Sequence, residues 1–114
     1  MCGKVELKEI MDAFVSDCKA LFGDKLCEVR LYGSYARGDY NEDSDIDVMI
    51  LLDMDDKDAR KYLWQVCGIT NELDMEHDVL LSPVIRSKYV YDKYKELPGF
   101  YNNVMREGVS MLAG

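Results

Sequence analysis

The chain has 114 residues, a net charge of −8 and a sequence pI of about 4.5, with 48% hydrophobic and 32% charged residues. That length reads as one domain over residues 1–114, large enough for a core without staples, and the composition excludes disorder. No basic cluster is present to neutralise the phosphates of a nucleic-acid polymer, and no stretch nears the ~20 apolar residues of a membrane span.

The N-terminal "MCGKVELKEIMD" mixes charges of both signs in a helical pattern, unlike a signal peptide. Leu7, Ile10, Met11, Phe14, Cys18, Leu21 and Phe22 recur at three- and four-residue steps. They predict an amphipathic helix over residues 5–22, closed near Gly23. Residues 26–32 alternate, with Cys27, Val29 and Leu31 on one side and Glu28 and Arg30 on the other, which predicts a strand. Gly33-Ser34 ends it. Ile46 opens an apolar run through Leu52, read as a central strand covered on both faces. Asp55 or Asp56 caps the next helix, whose inner face is Ala59, Tyr62, Leu63, Val66, Cys67, Thr70 and Leu73.

Residues 76–81, "EHDVLL", are predicted as a third strand, and Ser82-Pro83 as the start of a helical turn. After the tyrosine-rich "SKYVYDKYKE" and Pro98-Gly99, a last helix is expected over residues 100–112, with Val104, Met105, Val109 and Leu112 inward. Cys2, Cys18, Cys27 and Cys67 lack metal-type spacing and read as reduced cysteines of a cytoplasmic protein. The order of elements fits an α/β or α+β domain with a small sheet under helices.

The chemistry concentrates in "GSYARGDYNEDSDIDVMI", residues 33–50. Aspartate is depleted in strands, yet Asp45 and Asp47 stand at the entrance of the most hydrophobic one. Two apart in a strand, their side chains share a face and repel unless a cation lies between them. Oxygen-only ligands of this kind suit Mg²⁺ or Mn²⁺, with phosphates and water completing the shell. Asp78, just ahead of "VLL", is the candidate third carboxylate, with Asp74 its nearest rival.

Gly33 lets a ligand approach the backbone closely. Ser34 begins a short helix at "SYAR" whose N-terminus suits phosphate. A phosphate cradle ten residues from a metal-binding acid pair makes a nucleoside triphosphate the natural guest. Arg37 either neutralises phosphate or pairs with Asp39 or Asp43. His77 and the tyrosines Tyr89, Tyr91 and Tyr94 read as structural.

These residues carry a resemblance. "GSYARGDYNEDSDIDV" resembles the Gly-Ser, ten residues, Asp-x-Asp signature of the DNA polymerase beta nucleotidyltransferase superfamily. Within it, Gly33-Ser34-x-Ala36-Arg37-Gly38 and Ser44-Asp45-x-Asp47 are similar to the minimal nucleotidyltransferase (MNT) group, antitoxins found beside HEPN-domain toxins. "HDVLLS" and the closing "NNVMREGVSML" extend the similarity over most of the chain.

The resemblance implies the polymerase beta-like fold, a small mixed sheet packed with helices. It implies that Gly33 and Ser34 bind the triphosphate, that Asp45, Asp47 and Asp78 bind Mg²⁺, and that Asp78 helps to activate the acceptor hydroxyl. It further implies transfer of AMP from ATP to a tyrosine of a HEPN ribonuclease partner. Two alternatives stay open: an antitoxin that silences its toxin by occlusion, and transfer to a small molecule in a pocket completed by a homodimer.

Overall fold

The computed structural model describes residues 4–41 and 43–113, so Cys2 and Glu42 lie outside the described residues. Helix α1 spans Lys4–Phe22. Its buried residues Ile10, Met11, Phe14, Val15, Cys18 and Phe22 follow the predicted spacing, and Lys8 pairs with Asp12 at 2.7 Å on the exposed side. Each large side chain fully buried this way contributes about 1.5–3 kcal/mol. Gly23, at φ 57°, turns the chain out of the helix through a 3₁₀ turn into strand β1, Leu26–Tyr32.

After the short helix α2, Ser34–Arg37, the chain returns as strand β2, Ile46–Leu52. β2 pairs antiparallel with β1, so that Tyr32 stands opposite Asp47. The predicted 55–73 helix is two helices, α3 (Asp56–Arg60) and α4 (Leu63–His77), with Asp55 as the cap of α3 through a 2.8 Å bond from the Asp58 amide. Ala59, Val66, Thr70 and Leu73 face inward as predicted; Leu63 does not, and with its neighbour Trp64 it is exposed.

The third strand lies further along than the apolar run suggested. α4 continues through His77, and β3 spans Leu81–Ser87, paired parallel with β2. Glu72, Leu73, Met75 and Glu76 are good helix formers, and they hold the chain helical where "EHDVLL" read as strand. Ser82 and Pro83 are strand residues, not a helix start. β3 is an edge strand in the order β3-β2-β1-β4, where a missing N–H is tolerated.

Helix α5, Lys88–Tyr94, follows directly, its first turn capped by Ser87. The last predicted helix ends early: α6 spans Phe100–Glu107, and Val109–Ala113 is a fourth strand, β4, antiparallel to β1. Gly108 stands at the change, where there is no room for a side chain. A Cβ there would collide with the Val104 carbonyl and stand 2.9 Å from Nε of Arg30. Val109, predicted inward, is half exposed.

The sheet is thus mixed, with both faces covered. On one face Val29, Leu31, Ile46, Val48, Ile50, Leu52, Leu81 and Ile85 meet α1, α3 and α4 in the main core. On the other, Met49 and Leu51 meet Tyr91 of α5 and Val104 of α6. Arg30 ties this second layer together. It pairs with Glu28 at 2.6 Å and donates to the carbonyls of Met105 (3.2 Å) and Gly108 (2.9 Å).

Candidate active site

Gly33 follows β1 directly and has φ 74° and ψ −156°, a region in which side chains are strained. The conformation is needed because the carboxylate of Asp47 lies against it. A Cβ on Gly33 would collide with Oδ2 of Asp47 and stand 3.1 Å from its Cγ. The turn expected to hold phosphate and the acid expected to hold a cation are therefore in direct contact. Pairing of Tyr32 with Asp47 across β1 and β2 fixes that contact.

Asp45 lies just ahead of β2 and is exposed, whereas Asp47 is half buried. Burial, and then the charge of Asp45, push the Asp47 carboxyl above its ordinary 3.8, and Arg37 partly offsets this. Two neighbouring carboxylates, one exposed and one half buried, form a donor set suited to a divalent cation, which would take its remaining ligands from phosphate and water. Tyr32, beside them, is pushed up to about 12 by burial and by Asp47, so its phenol stays protonated near neutrality and cannot serve as a base.

Arg37 ends α2. Its Nε donates to Asp39 at 3.2 Å and its Nη1 to Glu107 at 3.0 Å, so the sequence-level alternative of pairing with Asp39 is realised and Asp43 is not the partner. The predicted convergence of three carboxylates does not occur. Among the described residues no group of three or more His, Cys, Asp or Glu side chains gathers to hold a metal ion.

Asp78 is not on a strand. It is the left-handed cap of α4 at φ 53° and is exposed. It shares a cavity of about 220 Å³ with Tyr35, Asp43, Ser44 and Asp45. The β3 residue in register with Asp47 is Ser82. The rival Asp74 is engaged structurally: its Oδ1 accepts the Leu81 amide at 2.8 Å. That bond sets the start of β3, and the Leu80 carbonyl then receives the Ile46 amide at 2.8 Å, next to Asp45. His77, in the last turn of α4, has no part in the acid pair.

Sequence reasoning passed over Glu107 and gave Asp74 only as a rival. Their partners lie 70 residues away and on a backbone amide, and neither relation leaves a periodic signal.

The nucleotidyltransferase domain family matches residues 11–109, and the chain belongs to that family. Its class of chemistry is nucleotidyl transfer. "Putative protein adenylyltransferase MJ0141" of Methanocaldococcus jannaschii is 38% identical over 86 residues, 75% of this chain and 85% of that protein. Two solved structures share the fold. The toxin-antitoxin with AMP-PNP superposes with a TM-score of 0.58 at 20% identity, over 91% of this chain and 73% of that one. A mutant form of the toxin-antitoxin MntA-HpeT gives 0.54 at 15% identity, with the same coverage of 91% and 73%. Among the described residues no helix is long and apolar enough to cross a membrane.

Proposed function

We propose that this protein is an antitoxin of the minimal nucleotidyltransferase group that transfers AMP from ATP, with Mg²⁺, to a tyrosine hydroxyl of a HEPN ribonuclease toxin. The observation that carries the reading is the contact between Gly33 and Asp47, which leaves no room for a side chain on Gly33 and sets an acid against the turn that this reading takes as the phosphate cradle. A relative named for protein adenylylation and a toxin-antitoxin neighbour bound to AMP-PNP support it.

In this reading Gly33 and Ser34 cradle the triphosphate and Arg37 neutralises part of its charge. Asp45 and Asp47 hold the cation, which would withdraw charge from the phosphate oxygens. The acceptor oxygen bonds to the α-phosphorus, the bond to pyrophosphate breaks, and the hydroxyl proton passes to a base. Asp78, across the cavity from Asp45, is the residue assigned to that step. A net charge of −8 would draw the chain toward the basic surface by which a ribonuclease grips RNA.

The decisive experiment mixes the chain with its partner and Mg-ATP, separates them under denaturing conditions, and weighs the partner by intact mass spectrometry. Gain of whole AMP units, lost with Asp45→Asn and Asp47→Asn, supports transfer. One observation favours the occlusion alternative: β3 offers Ser82 rather than a carboxylate beside Asp47. An unmodified but inhibited toxin would decide for it.

A further inference from the structure

The closing segment "MREGV" reaches the site through one side chain. Glu107 is the last residue of α6, and its Oε2 accepts from Nη1 of Arg37 at 3.0 Å, across 70 residues of sequence. We propose that Glu107 is a positioning residue for the nucleotide, holding the Arg37 guanidinium at the mouth of the phosphate turn. The inference rests on reading Arg37 as a phosphate ligand.

Arg37 needs such a tether. It ends a helix of four residues, and its side chain is 43% exposed. A long side chain at the end of a single turn samples many rotamers, and ordering it costs binding energy. Asp39 accepts from Nε at 3.2 Å but stands only two residues away on an exposed loop, with its own side chain 62% exposed. It belongs to the same segment as Arg37 and ties it to no other element.

Glu107 is anchored independently. The Gly108 amide donates to the Val104 carbonyl at 2.8 Å, and Val104 is fully buried. Nη2 of Arg30, in β1, binds the carbonyls on both sides of Glu107's turn, those of Met105 and Gly108. Arg106 is turned outward onto Asn102 and Asn103, both at 2.8 Å, which leaves Glu107 as the charge presented to α2.

A guanidinium has five N–H donors, and the bonds to Asp39 and Glu107 take one from Nε and one from Nη1. The fork keeps donors for a phosphate oxygen while its orientation is set.

The test is titration of Mg-ATP into the wild type, Glu107→Ala, Glu107→Gln, Arg37→Ala and the double variant by calorimetry. Glu107→Ala is expected to weaken binding about three- to tenfold, the cost of ordering one long side chain. Glu107→Gln, which keeps an acceptor oxygen in place, should recover most of that loss. In the Arg37→Ala background, Glu107→Ala should add nothing, because the glutamate acts through the arginine. Equal or tighter binding by Glu107→Ala, or an undiminished effect without Arg37, overturns the proposal alone. A wild type that does not bind Mg-ATP overturns the nucleotide reading, and this proposal with it.

Discussion

Along β2, alternate residues face opposite ways and meet different neighbours. Ile46, Val48, Ile50 and Leu52 are all fully buried in the core shared with α1, α3 and α4. Asp47, Met49 and Leu51 point the other way. Met49 and Leu51 are sealed by α5 and α6, while Asp47 is left at the open end beside Gly33. One face is committed wholly to stability. The other begins at the candidate site and ends as a core, and a strand held so firmly on one side can carry a destabilising acid on the other.

The largest break in this comparison is a cavity in the first face. Ile50→Ala is expected to cost about 2–5 kcal/mol in chemical denaturation, with the site lost only through unfolding. Gly33→Ala should follow. Its φ of 74° and the clash with Asp47 predict about 1–3 kcal/mol of strain and loss of Mg-ATP binding even in the folded fraction.

Asp47→Asn should separate the faces most sharply, because Mg-ATP binding falls steeply while the cation-free fold gains a little. The Asp47 pKa is raised in the fold by burial and Asp45. Its contribution to stability is therefore present below the unfolded pKa and lost as pH rises through the folded one. Removing the charge should raise Tm by about 1–3 °C at neutral pH, an effect kept small by partial exposure to water. In the wild type, cation binding should release protons on the acidic side of that range, measurable by calorimetry in buffers of different ionisation enthalpy.

The smallest expected effect on stability is Asp78→Asn. Asparagine tolerates the left-handed cap, so stability should stay within about 0.5 kcal/mol and Mg-ATP affinity should be unchanged. AMP transfer should drop by about two orders of magnitude if this carboxylate takes the acceptor's proton. Transfer at the wild-type rate would remove Asp78 from the mechanism.

The first half of the chain was legible because its signals are local. The apolar spacing of α1, the alternation of β1 and the run Val48–Leu52 each name an element without help from the rest. Gly33 and the acid pair stand out in the sequence for the same reason, and the structure brings Gly33 and Asp47 into contact. Beyond Leu73 the signals are tertiary. Pro83 is acceptable in β3 only because that strand forms an edge, and Val109–Ala113 becomes a strand only because β1 offers a free side and Gly108 must fit under Arg30. The misplacement of Asp78 follows from this: once α4 runs to His77, the residue ahead of "VLL" becomes a helix cap, and Ser82 inherits the place beside Asp47.

Trp64, at the start of α4, is the chain's one tryptophan and is 88% exposed. Its indole is already in water in the folded protein, so unfolding changes its surroundings little and its emission is a poor thermometer of the fold. The same exposure makes it a sensitive optical probe of association. A second protein that covers this end of α4 takes the indole out of water and shifts its emission to the blue, whereas a ligand confined to the turn at Gly33 leaves the light unchanged.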